Sequence, residues 1–155
     1  MRFPRPVDST LHGVVDYTAG SLLTTVFPRL AGIGGTRAGR QVRTAGAIHA
    51  GYSTLTRYPL GIVKLIPFPV HLAMDAAGAL ALAATPFVTG QYRDGPRQWV
   101  PHVGLCLFEL SSLAITDPTG HGDFHGDVRA VHEANMEDPH RKIHEGTPAV
   151  AVARA

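Results

Sequence analysis

Apolar runs alternate with short polar stretches along the chain, and four of the apolar runs are typical of helices. Ahead of the first run, Asp8, Ser9 and Thr10 offer side chains that cap a helix N-terminus. Prolines and glycines separate the runs, and Asp117 with Pro118 ends the last one. The pattern predicts an all-α chain with four helices at residues 9–26, 44–56, 71–85 and 99–115.

The first and third helices repeat one pattern, which reads LHGVVDYTAGSLLTTVFP at residues 11–28 and VHLAMDAAGALALAATP at residues 70–86. Each copy has a histidine and an aspartate four residues apart, so that both side chains lie on one helix face. We interpret the chain as two helical hairpins, repeat one at 11–57 and repeat two at 70–116. Two hairpins in the same orientation bring the repeated polar residues together in the middle of the bundle. These residues are His12, Asp16, His71 and Asp75.

None of the four helices has the continuous polar face that a soluble bundle needs. A helix that is apolar all round belongs in a protein core or a bilayer, and 155 residues are too few to bury four such helices. The sequence therefore predicts four transmembrane helices in a membrane domain at 1–117, a multi-pass location in the cell membrane, and the lipid bilayer as partner. Residues 118–155 form a hydrophilic, histidine-rich tail that we expect to be disordered.

Composition distinguishes a polar segment and an apolar one among the connections between the helices. Residues 31–43 are rich in glycine and arginine and are predicted to form an aqueous loop, whereas residues 57–70 contain three prolines and are predicted to lie along the membrane interface. A net charge of +2 with scattered arginines argues against a nucleic-acid partner. A homo-oligomer and a membrane-protein partner both stay open.

Three segments, HGVVDY, IPFPVHLAMD and WVPHVGLCLFEL, resemble small bacterial four-helix membrane proteins of the SPW-repeat type, over about residues 11–116. Members of that family usually end their first and third helices with a Ser-Pro-Trp turn. Here the corresponding places read TVFP and ATPF, which retain Pro28 and Pro86 and lack the tryptophan. The resemblance implies an integral membrane location and a repeat architecture. It implies no reaction, because the family has no assigned activity.

Ionisable groups inside a bilayer cost several kcal/mol and therefore face the bundle interior with partners. The first hypothesis is a structural or binding network of hydrogen bonds that joins the helices without catalysis. Whether the protein is an enzyme is open, and we lean towards a non-enzymatic role. The predicted polar cluster comprises His12, Asp16, Tyr17, His71, Asp75, His102 and Glu109.

Two further hypotheses are a cofactor site and a transfer pathway. The cofactor could be a metal, because the two His/Asp pairs supply four nitrogen and oxygen ligands that suit zinc, manganese or iron. A b-type haem or quinone is another cofactor reading, with His12 and His71 towards one surface and His49 and His102 towards the other. The last hypothesis is proton or ion transfer through the aspartates and Glu109.

Overall fold

The computed structural model describes residues 4–121, which contain five α-helices and two short 3-10 turns. Residues 122–155, with most of the predicted histidine-rich tail, lie outside the described residues. Within residues 4–121 the chain is helical and has only isolated β-bridges in place of strands. The prediction of an all-α chain is confirmed over this range. The helices are α1 Ser9–Thr25, α2 Phe27–Leu30, α3 Arg37–Thr54, α4 Phe68–Val88 and α5 Val100–Ile115.

The second long helix, α3, begins seven residues earlier than the predicted position 44 and includes part of the predicted loop. Thr36 provides the reason, because its hydroxyl accepts a hydrogen bond from the backbone N–H of Gly39 at 3.2 Å. This N-cap satisfies one of the free amides of the first turn, so the arginines that follow are helical. The aqueous loop is correspondingly shorter.

The third long helix, α4, extends past both ends of the predicted range 71–85. Pro69 lies in its first turn, where the missing N–H would have no partner in any case. Pro86 lies in its last turn, where a proline removes one hydrogen bond and only two residues follow. The predicted end of this helix at residue 85 was wrong for this reason.

α1 and α3 form one tightly packed antiparallel hairpin, and α4 packs on α5 in a second one. Glycines allow the first close contact: a Cβ at Gly20 would lie 2.9 Å from the Cβ of Ala50, and a Cβ at Gly46 would lie 2.7 Å from that of Leu23. Small residues at such a contact are typical of helix pairs in lipid.

The interior of the described structure holds as many polar as hydrophobic side chains, and many large hydrophobic residues are exposed. Among the described residues nine polar or charged side chains are buried against eight hydrophobic ones, while nineteen large hydrophobic residues are exposed. Leu30 and Val88 are each 81% exposed, whereas His12 and His71 are 0% exposed. Exposed apolar surface of this extent marks a membrane or a partner protein.

Length and composition qualify one described helix, Phe68–Val88, to cross a membrane, and Val100–Ile115 is a shorter apolar helix. At ~1.5 Å per residue the other long helices reach ~24–27 Å, against a hydrocarbon core of ~30 Å. A single qualifying helix is weak support for membrane association.

Two isolated β-bridges join the halves of the chain in the same way. Val7, just before α1, pairs with Thr116 just after α5, and Ile66, just before α4, pairs with Thr56 just after α3. The bridges therefore place Thr116 next to the first turn of α1 and Thr56 next to the first turn of α4.

Candidate metal centre

The repeated residues converge on one site between α1 and α4. One ligand atom from each of His12, Asp16, His71 and Asp75 lies within 4.8 Å of all the others. We refer to these four residues as the His/Asp quartet. All four are buried, with at most 1% of each residue exposed.

Within the quartet, each histidine Nε2 faces an oxygen of both aspartates. The Nε2 atom of His71 lies 3.0 Å from Asp16 Oδ2 and 3.2 Å from Asp75 Oδ2. The Nε2 atom of His12 lies 3.4 Å from Asp16 Oδ1 and 3.2 Å from Asp75 Oδ2. Metal bonds of ~2.0–2.1 Å to nitrogen and oxygen place the ligand atoms of a tetrahedral site ~3.3 Å apart. The four histidine-to-aspartate separations are close to this edge length, and one ligand atom from each of the four residues fits within 4.8 Å.

Threonine hydroxyls hold the other nitrogen of both quartet histidines. The Thr56 hydroxyl donates to the carbonyl of Tyr52 at 2.9 Å, so its oxygen accepts from Nδ1–H of His71 at 2.8 Å. In the same way the Thr116 hydroxyl donates to the Ser112 carbonyl at 2.8 Å and accepts from Nδ1–H of His12 at 3.1 Å. We infer from these bonds that both Nδ1 atoms carry a proton.

With the proton on Nδ1, the protonation state of Nε2 decides whether its contacts with the aspartates are favourable. A neutral imidazole protonated at Nδ1 has a lone pair at Nε2, and a lone pair repels a carboxylate oxygen at 3.0–3.4 Å. The contacts are therefore favourable only when a cation or an additional proton lies between the nitrogen and the oxygens. The Nε2 atom of His71 is buried and makes no hydrogen bond in the described structure, despite its closeness to both aspartates. Such an orphaned nitrogen fits a metal ligand.

A third histidine, His49 of α3, lies beside the quartet. Its Nε2 is 3.3 Å from Asp16 Oδ1, and this nitrogen also makes no hydrogen bond among the described residues. The Tyr52 hydroxyl donates to Asp75 Oδ1 at 2.6 Å and accepts from His49 Nδ1 at 2.8 Å. Tyr52 therefore links His49 to one aspartate, while the imidazole contacts the other.

Tyr58, in the segment between α3 and α4, also contacts the quartet. Its hydroxyl donates to Asp16 Oδ2 at 3.3 Å, and its ring is 5.6 Å from that of His71. Burial, together with the charge of Asp16, raises the pKa of Tyr58, so the phenol stays protonated and remains a donor. Gly13 makes room for this ring, because a Cβ there would collide with it.

Three residues of the predicted polar cluster lie outside this network. The Tyr17 hydroxyl donates to the carbonyl of Leu60 at 3.1 Å. His102 is buried, and neither of its ring nitrogens has a hydrogen-bond partner in the described part of the chain. Glu109 lines a cavity that also reaches Asp75 and His49.

The haem arrangement inferred from sequence differs from the observed one. His49 contacts Asp16 rather than pairing with His102 towards the opposite surface. The cause is the antiparallel packing of α1 and α3, which places His49 near the end of α3 beside Asp16 of α1. Between His12 and His71 the aspartate oxygens occupy the space that a porphyrin ring would need.

Sequence reasoning missed Thr56, Thr116, Tyr52 and Tyr58 as site residues. For the threonines a signal was present, since Thr56 and Thr116 are 60 residues apart, close to the 59 that separate the histidines. For the tyrosines there was none, because neither has a counterpart tyrosine in the second repeat.

No protein family, curated protein or solved structure matches this chain. The resemblance to SPW-repeat membrane proteins therefore stays a prediction.

Proposed function

We propose that this protein is an integral membrane protein of four membrane-spanning helices that binds one divalent transition-metal ion at the His/Asp quartet. The observation that carries the metal site is the pair of imidazoles fixed by threonines, with both Nε2 atoms aimed at two buried aspartates. Two neutral histidines and two carboxylates suit zinc, manganese or iron(II). One divalent cation also neutralises the two negative charges of the buried aspartates.

The buried polar groups and the exposed apolar residues support the membrane part of the proposal. Buried histidines and aspartates together with exposed leucines, valines and phenylalanines favour a bilayer over water as the surroundings of the helices. α4 is long enough to span, and the shorter helices fit with local thinning of the bilayer or with interfacial ends.

Alkaline washing of membranes without detergent tests the membrane assignment. We expect the protein to stay in the membrane pellet, as integral proteins do. Release into the aqueous phase would contradict the four spanning helices, and it would leave the metal site as a separate question.

Elemental analysis of the full chain purified in detergent tests the metal site. We expect about one equivalent of zinc, manganese or iron per chain after incubation with the metal and desalting. The double variant His12→Gln, His71→Gln removes two ligands and should lose the metal. His102→Gln is the matched control, because His102 is also a buried histidine but lies outside the quartet.

The competing function is a purely structural network in which additional protons take the place of the metal. The hydrogen bond of 3.2 Å between His12 Nε2 and Asp75 Oδ2 favours it, since this contact needs a proton on Nε2. A folded wild-type protein that binds none of the three metals would establish this network and overturn the metal proposal. A Soret absorbance band in the purified protein would instead indicate haem.

A further inference from the structure

A cavity of about 950 Å³ runs along α3 between the two helical hairpins. The residues of α3 that line it recur every three or four positions from Arg37 to Tyr52, which places them in one stripe down the helix. At ~1.5 Å per residue this stripe is ~22 Å long. The cavity is therefore an elongated groove whose far end reaches the neighbourhood of the quartet.

The walls of this groove are mainly aliphatic and aromatic, with Asp75 and Glu109 as the acidic lining residues. α1 contributes Leu22 and Leu23, α4 contributes Leu82, and α5 contributes Leu105 and Phe108. The wall on α4 is open at Gly78, where a Cβ would meet no atom within 4 Å. Such a lining, in a volume within the range of ~300–1,000 Å³ usual for ligand sites, suits an extended hydrocarbon chain.

The outer end of the groove is cationic. Arg37 and Arg40 line it and are exposed, and within residues 4–121 neither forms an ion pair with an acidic side chain. Gln41 lies beside them, and its buried side-chain oxygen makes no hydrogen bond among the described residues. Two arginine forks can donate to a phosphate, and the unbonded Gln41 oxygen can accept from an adjacent hydroxyl.

We propose that this groove binds an anionic phospholipid, with the phosphate between Arg37 and Arg40 and one acyl chain along α3 towards Tyr52. A single leaflet accounts for half of the ~30 Å hydrocarbon core, so an acyl chain of ~15 Å fits within the ~22 Å groove. Basic pockets at the ends of membrane helices attract such headgroups. The headgroup end of the groove is separate from the metal centre, because Arg37 and Arg40 lie twelve and nine positions before His49. The inner end reaches the quartet itself, since Asp75 lines the cavity.

Lipid binding is measured by native mass spectrometry on the full chain in detergent, with phosphatidylglycerol and phosphatidylcholine of identical acyl chains as probes. We expect the wild type to prefer phosphatidylglycerol by about tenfold or more, because only this lipid has a net negative headgroup. The double variant Arg37→Gln, Arg40→Gln should lose the preference. Arg93→Gln, Arg97→Gln is the control, because it removes two arginines that do not line the groove.

A second pair of variants tests the acyl-chain part of the groove. Gly78→Phe places a ring in the open wall and should weaken binding of both lipids by about tenfold or more, whereas Gly104→Phe adds the same ring at an equally open position outside the groove. Equal binding of the two lipids by the wild type, or an unchanged affinity in Gly78→Phe, would overturn the proposal. Full displacement of the lipid by millimolar inorganic phosphate would also overturn the proposal, because it would show that only the arginines bind and that the acyl chain adds no affinity.

The metal content of the same samples keeps the two proposals apart. Loss of lipid preference in the arginine variant with unchanged metal content supports the lipid site. If neither the wild type nor any lipid variant binds metal, the metal proposal fails. The lipid measurements still test the lipid site, because none of these variants changes a quartet histidine.

Discussion

The Nδ1 atom of His71 lies 2.8 Å from the hydroxyl oxygen of Thr56, a residue of the other half of the chain. The same relationship joins His12 to Thr116 at 3.1 Å, with the halves exchanged. Each repeat thus supplies the threonine that orients the histidine of the other repeat. The β-bridges at Thr56 and Thr116 hold both threonines in place. The site is therefore a property of the two repeats together and of neither one alone.

Removing these threonine hydroxyls should weaken metal binding without removing a ligand. We expect Thr56→Val and Thr116→Val each to lower metal affinity by about 10–100-fold, because the Nδ1–H groups lose the acceptors that fix the imidazole orientation. Competition with a chromophoric chelator measures the affinity.

Thr85→Val is the matched control for the threonine variants. The Thr85 hydroxyl also bonds a carbonyl four residues earlier, that of Ala81 at 2.7 Å, but contacts no quartet histidine. An equal loss of affinity in this control would mean that the threonines act through helix stability and not through the histidines.

Metal removal should destabilise the fold, because the metal binds the native site and no preformed site exists in the unfolded chain. With metal at ~100 times its dissociation constant, the stabilisation is ~2.7 kcal/mol. We therefore expect a chelator to lower the thermal unfolding midpoint of the wild type in detergent. The midpoint of His12→Gln, His71→Gln should not respond. A chelator effect of equal size in both proteins would show that the ion binds elsewhere.

The sequence predicted the His/Asp quartet better than the residues that surround it. The 59-residue offset between two His-x3-Asp turns placed the quartet, because helical spacing and repeat symmetry together determine which side chains face each other. The same reasoning did not predict Tyr52 and Tyr58 as site residues, and it predicted His49 only as a haem ligand. The places of all three depend on how α3 and the segment after it pack against α1. That packing requires Gly13 and Gly20, whose role is visible only when a neighbour approaches within the space of a Cβ.

Tyr52 should contribute to stability through its 2.6 Å hydrogen bond to Asp75. We expect Tyr52→Phe to lower the free energy of unfolding by ~1.5–3 kcal/mol, the range for hydrogen bonds to charged groups, and to leave His49 without its Nδ1 acceptor. Reversible unfolding in mixed detergent measures the change. Tyr92→Phe is the control, because the exposed Tyr92 hydroxyl bonds only Arg93 in the described structure. Equal effects of the two substitutions would remove Tyr52 from the network.

Gly13 tests whether the close packing of Tyr58 is essential to the site. A Cβ at this position would collide with the Tyr58 ring, so Gly13→Ala must displace the ring and with it the 3.3 Å hydrogen bond to Asp16. Overpacking costs ~1–3 kcal/mol, and alanine gains ~1 kcal/mol over glycine within a helix. Because the Cβ would overlap several ring carbons, we expect a cost in the upper part of this range, which exceeds the gain. At Gly104 nothing lies within 4 Å, so Gly104→Ala should stabilise the protein through helix propensity alone. We therefore expect the free energy of unfolding to fall in Gly13→Ala and to rise in Gly104→Ala. A rise in Gly13→Ala as well would show that the Tyr58 ring moves without cost.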